Sequence, residues 1–151
     1  MEEKYEISGN TLAVIGLRNG KTKVIEYDTE KILNESPYEV MDYSCEYFGS
    51  SYQGRVDGSK KMLGCNYKVP IIVEESSELI FFPTTSPGLQ DCCWFSLNSI
   101  EAVTNNNDMT IIELKNGKYI VSKASKSSIE NQILRATRLK YLLNDRKVAK
   151  K

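Results

Sequence analysis

Histidine is absent from the chain, so the commonest general base is missing and no Ser-His or Cys-His nucleophile pair can form. Carboxylates are plentiful, yet no spacing singles out two of them for acid–base work. The four cysteines, Cys45, Cys65, Cys92 and Cys93, contain no Cys-x-x-Cys pair. Adjacent Cys92 and Cys93 point to opposite faces if their segment is a strand, which prevents them from gripping one metal ion. The Phe48–Arg55 segment does not end in Gly-Lys-Ser/Thr, so its spacing does not match a phosphate loop for nucleotide hydrolysis. The expectation is a protein that is not an enzyme, with reduced and mostly buried thiols, no catalytic residues, no metal and no cofactor.

The chemistry that remains is that of fixed positive charge. Net charge is zero, but it is unevenly spread: Lys115 to Lys151 holds eleven basic residues against Glu130 and Asp145, a net +9, and the first 114 residues carry −9. Such asymmetry points to a basic working surface on an acidic body. Two groups of residues are candidates for it. In the closing segment, Asn131, Arg135 and Arg138 recur at i, i+4 and i+7 and share one side of a helix, suited to phosphates and base edges. Earlier, Phe48-Gly49-Ser50-Ser51-Tyr52-Gln53-Gly54-Arg55 combines small residues with Ser50, Ser51 and Arg55 as phosphate donors, and Lys60, Lys61 and Lys68 follow. The plainer alternatives are a solvated helix face for the first group and a structural turn for the second.

The elements that must position these residues read as one α+β domain over 1–151. We expect a largely antiparallel sheet, a central helix and a closing amphipathic basic helix, with 144–151 as a loose basic tail. Asn19-Gly20 and Asn116-Gly117 each favour a tight hairpin turn, joining Thr11–Leu17 to Lys21–Tyr27 and Met109–Leu114 to Lys118–Ser122. Pro70–Val73 and Leu79–Phe82 are short apolar strands, Cys92–Val103 reads as one further strand, and Asn105–Asp108 as a loop. Ser36-Pro37 with Glu39 forms a capping-box start for a helix whose stripe of Val40, Met41, Ser44, Cys45 and Phe48 ends at Gly49. Gly54, Gly58 and Gly64 reduce the next segment to a loop or a short, weak helix. The last helix is expected from Ser128 to Leu143, capped by Ser127 or Ser128, with Ile129, Ile133, Ala136 and Leu143 toward the core. Leu134 and Leu142 fall off that stripe and would meet a loop or a second copy. The acidic start, Met1-Glu2-Glu3-Lys4, is no secretory signal, and no apolar run reaches the roughly 20 residues of a membrane helix. The cytoplasm is the expected location.

Several strings resemble the competence transcription factor family, ComK. They are Cys45–Arg55, Pro70-Ile71-Ile72-Val73, Phe81-Phe82-Pro83-Thr84, Cys93-Trp94-Phe95-Ser96, the Asn116-Gly117-Lys118 turn, and Ser128-Ile129-Glu130-Asn131-Gln132 with Arg135 and Leu139. They keep the family's order over roughly 11–143, and Phe-Gly-Ser-Ser-Tyr-x-Gly-Arg is the most specific. The resemblance implies a transcriptional activator of DNA-uptake genes that binds paired A/T-rich boxes of double-stranded DNA, mainly through the minor groove and as a homo-oligomer. On it, Ser50, Ser51, Arg55, Lys60, Lys61, Asn131, Gln132, Arg135 and Arg138 are the expected DNA contacts. Longer family members continue into a segment resembling a docking site for the MecA adaptor of Clp proteolysis. The sequence after Arg146 lacks a Phe-Met-Leu-Tyr-Pro-type element, which puts that contact in question. The alternatives are an adaptor module whose basic face meets an acidic protein, or a short ComK-like protein that does not activate transcription.

Overall fold

A computed structural model describes residues 4–89 and 91–149. Strands β1 (Thr11–Gly16), β2 (Thr22–Glu26) and β3 (Glu30–Leu33) lead to helices α1 (Pro37–Tyr47) and α2 (Tyr52–Leu63). Strands β4 (Ile71–Glu74), β5 (Leu79–Pro83), β6 (Cys93–Ser96), β7 (Ile100–Asn106), β8 (Met109–Leu114) and β9 (Tyr119–Ser122) follow, and α3 (Lys126–Ala149) closes the chain. Strands β3-β2-β1-β6-β5-β4 form a six-stranded sheet and β7-β8-β9 a three-stranded one, every pairing antiparallel. The α+β expectation and both Asn-Gly hairpins hold, with Gly20 and Gly117 at φ values of 77° and 87° where a side chain would be strained.

The apolar strands need cover on both faces. Side chains alternate along a strand, and Val14, Ile71, Val73, Phe81 and Trp94 enter a core with Val40, Met41 and Cys45 of α1 and Tyr52 and Val56 of α2. Their neighbours Ala13, Ile72, Ile80, Phe82 and Phe95 enter a second core with Ile112 and Leu114 of the small sheet and Ile129, Ala136, Leu139 and Leu143 of α3. The large sheet is thus sandwiched, which is why its central strands read as unbroken apolar runs instead of alternating ones. Trp94 meets Tyr52 edge-on with ring centroids 6.0 Å apart.

Four expectations are corrected. Residues 92–103 are not one strand: Leu97–Ser99 form a 3-10 turn that carries the chain from the large sheet to the small one. Asn105 and Asn106 belong to β7, leaving Asn107 and Asp108 as the turn, with Asn107 at φ 58°. The glycine-bearing segment after Gly49 is a full helix, α2. Its Ser51 hydroxyl accepts from Gly54 N at 3.0 Å, Gly64 ends it in the left-handed conformation, and Tyr52, Val56 and Ser59 are buried. Caps and tertiary burial outweigh the propensity cost of Gly54 and Gly58. Finally, α3 starts earlier than expected, with the Ser125 hydroxyl accepting from Ser128 N at 3.1 Å, and runs on through Ala149. Residues 144–149 are therefore helical, and Lys150 and Lys151 lie outside the described residues. Strand β3 had no clear sequence signal.

One buried amide fixes how α3 lies. Gln132 is 1 % exposed, and its Nε2 donates to the carbonyls of Lys68 (2.8 Å) and Pro83 (2.7 Å), while its Oε1 accepts from Arg135 Nη1 (2.8 Å). Replacing Gln132 with Ala would strand both carbonyls, so Gln132→Ala should lower stability by about 1–3 kcal/mol, seen as a lower urea midpoint. An unchanged midpoint would contradict the clamp.

All four cysteines are free thiols. Burial pushes the Cys45 thiol up to about 12 and the Cys92 thiol up to about 11. The thiolate is the reactive form, so at pH 8 both should resist iodoacetamide in the folded protein while half-buried Cys65 is alkylated. Equal rates at all three, followed by mass spectrometry, would contradict this packing.

Candidate nucleic-acid interface

The charge excess of the last quarter of the chain is partly consumed by contacts within the fold. Lys118 Nζ lies 2.7 Å from a Glu30 carboxylate oxygen, holding that carboxyl below its usual range, and Lys140 Nζ lies 3.7 Å from Glu78. Lys147 Nζ donates to the Glu75 carbonyl at 2.7 Å. The +9 segment therefore does not act as one block.

The two candidate groups are brought together by packing of α3 beside α2, but not all on one surface. Ser51 is the α2 cap, and its hydroxyl is committed to Gly54 N. Ser50 and Arg55 line a cleft of about 280 Å³ with Arg146 and Lys147 of α3, where Arg55 Nη1 pairs with Glu75 Oε1 at 2.9 Å. Lys60 lines a different cleft with Asn66, Tyr67 and Lys68. Five residues along a helix turn Lys60 roughly 140° away from Arg55 at about 100° per residue, so the two open onto different clefts. Lys61 is exposed.

On α3, Asn131 and Arg138 are exposed. Gln132 is a correction: its side chain is internal and its polar atoms are taken by the clamp, so no group remains for a duplex. Arg135 is half-buried, and its Nη2 donates to the Tyr67 carbonyl at 2.8 Å, 68 residues away in sequence. It braces the 66–68 loop against the helix.

That loop is what sequence reasoning missed. Tyr67 is 63 % exposed, its hydroxyl hydrogen-bonds Ser86 Oγ at 3.0 Å, and Lys68 Nζ stands 5.4 Å from its ring centroid. No acidic side chain among the described residues lines the cleft around it. Among the described residues, Lys60, Lys61, Lys68 and Arg138 form no ion pair. The available signal was a Tyr-Lys pair between the helix-ending Gly64 and Pro70. The arrangement offers unpaired cations, an exposed aromatic ring and the Asn131 amide, which suits phosphates and groove edges. Among the described residues no three Cys, Asp or Glu side chains gather as metal ligands would, and no helix is long and apolar enough to cross a membrane.

No solved structure matches the chain. The competence transcription factor of Bacillus subtilis (strain 168) is 36% identical over 148 residues, covering 95% of this chain and 77% of that protein. Residues 2–148 match the family described as ComK protein. With its family matched over nearly the whole length, the chain belongs to the ComK family, a family of transcription factors and not of enzymes.

Proposed function

We propose that this protein regulates competence genes by binding A/T-rich sites in double-stranded DNA, chiefly through the minor groove. The observation that carries the reading is the convergence of Lys60, Lys68 and Arg135 on the exposed Tyr67 loop, beside Asn131 and Arg138 of α3. Lys60 of α2 and Lys68 of the loop line a cleft that no carboxylate among the described residues enters, and Arg135 of α3 reaches the same loop, an arrangement suited to a polyanion. A narrow A-tract groove concentrates negative potential that attracts Arg and Lys, and Asn reads its acceptors. In this reading Arg138, Lys60, Lys61 and Lys68 meet phosphates or the groove mouth, Asn131 meets base edges, and Arg135 positions the loop. Membership of the ComK family and the name of the Bacillus subtilis relative support the competence assignment.

Binding of paired boxes calls for more than one protomer. Leu134, Tyr141 and Val148, exposed by 66 % to 68 %, recur every seven residues along the outer side of α3. An apolar line of that kind suits a second copy of the chain, as does the symmetry of paired sites.

Arg138→Ala and Lys60→Ala should each reduce the slope of log K against log salt by about 1, measured by fluorescence anisotropy on an A/T-rich duplex. Lys118→Ala, on the distant β8–β9 turn, should leave it unchanged. Unaltered slopes in the first two variants would overturn the assignment. Asn131→Ala should narrow the gap between A/T-rich and G/C-rich duplexes by roughly 1–3 kcal/mol. An adaptor for acidic proteins would instead bind both duplexes weakly and alike from the outset.

A further inference from the structure

The cleft on the other side of α2 holds donors that nothing in the protein uses. Arg55 Nε and Ser59 Oγ are both buried without a hydrogen-bond partner, and Ser59 is 2 % exposed. They lie one helical turn apart, so they stack on the same flank of α2, and both residues line the cleft that Arg146 and Lys147 of α3 close. Buried polar groups are normally paired because an unmade hydrogen bond retains the full cost of desolvation. Two such groups in one cationic cleft mark a place prepared for an acceptor.

The cleft's shape and charge define that acceptor. Gly54 and Gly58 leave the flank of α2 bare: a Cβ at Gly58 would meet nothing within 4 Å, and one at Gly54 would stand 3.1 and 3.2 Å from the Ser51 and Ser50 hydroxyls. Arg55, Arg146 and Lys147 set three positive charges against Glu75 alone, a surplus of two. A phosphate monoester carries about −1.5 to −2 near neutral pH and offers three acceptor oxygens. A backbone diester carries one charge and two free acceptor oxygens, a poorer match to a surplus of two. The volume of about 280 Å³ sits just below the roughly 300–1,000 Å³ of sites for drug-sized ligands, room for a phosphate with a small substituent.

Glu75 occupies the entrance. Its carboxylate pairs with Arg55 Nη1 at 2.9 Å, yet its side chain is 57 % exposed and can leave for water. The β4–β5 turn that presents it is fixed by Glu74, whose carboxylate accepts hydrogen bonds from the hydroxyls and amides of Ser76 and Ser77, which hold its pKa down to about 2. Glu75 thus fills the anion's position on Arg55 while the inner donors stay unmet.

We infer that the cleft between α2 and the last turns of α3 binds a small phosphate monoester, with Arg55, Ser59, Arg146 and Lys147 as its ligands and Glu75 as the group it displaces. This site is separate from the proposed DNA surface, because Lys60 and Tyr67 open into another cleft.

The test is calorimetric titration and thermal unfolding of the full chain with orthophosphate and with ribose 5-phosphate, against chloride of equal ionic strength. Both phosphates should bind saturably and raise the melting temperature, and a dinucleoside phosphodiester should bind about tenfold more weakly. Ser59→Ala removes an unpaired hydroxyl, so its melting temperature in chloride should equal or exceed that of the unaltered chain, while phosphate affinity falls about five- to tenfold. Arg146→Ala should weaken binding about tenfold or more, and Glu75→Gln should tighten it. No response beyond chloride would overturn the proposal, as would equal affinity in Ser59→Ala and the unaltered chain, or a diester that binds as well as the monoester. Duplex affinity of Ser59→Ala, measured in phosphate-free buffer, should match that of the unaltered chain. Its loss there would overturn the separation of the two sites without touching the Tyr67-loop assignment.

Discussion

The Gln132 carboxamide ties the last helix to the rest of the molecule. Its two N–H groups meet the carbonyls of Lys68 and Pro83, and its oxygen meets Arg135, all in the interior. An unmet carbonyl there would be costly, so helix α3, strand β5 and the 66–68 loop take one arrangement together. The positions of Tyr67, Lys68 and Arg135, and with them the proposed DNA surface, follow from that arrangement.

The sandwich around the six-stranded sheet gives the clamp its rigidity. One sheet face is covered by α1 and α2 and the other by α3 with the small sheet, so α2 and α3 meet only beyond the sheet edge at β4. One cleft lies along that meeting, and the other lies between α2 and the loops at 66–69 and 86–88. The first is rimmed by Arg55, Arg146 and Lys147, and the second by Lys60, Lys68 and Tyr67. Charge that looks continuous along the sequence is thereby divided. Lys118 and Lys140 are spent on carboxylates, and Lys60 and Lys61, Lys68 and Arg138, which form no ion pair among the described residues, come from three separate segments.

What could be read from the sequence were local signals. Asn19-Gly20 and Asn116-Gly117 marked hairpins because their backbone requirement is written in two residues, and Ser36 with Glu39 marked the start of α1, where the reciprocal capping bonds form. Helix α2 was underestimated because propensity penalises Gly54 and Gly58, whereas burial of Tyr52 and Val56 is a tertiary effect that no local window contains. The switch between sheets at Leu97–Ser99 was hidden for a similar reason, since Cys93–Ser96 and residues 100–103 on either side of it both read as strand. For the site, Arg138 and Asn131 were legible as an exposed helical side. Gln132 was not, because its neighbours suggest a polar surface and only the carbonyls of Lys68 and Pro83, far away in sequence, draw it inward. Tyr67 gained significance only when Arg135 reached its carbonyl.

Hydrogen–deuterium exchange of the full chain, with and without an A/T-rich duplex, addresses the DNA surface most directly. Protection should appear together in residues 60–68 and 131–138, two segments joined only by the fold. Protection confined to other regions, such as the β7–β9 sheet, or no change in either segment despite saturating duplex, would contradict the account.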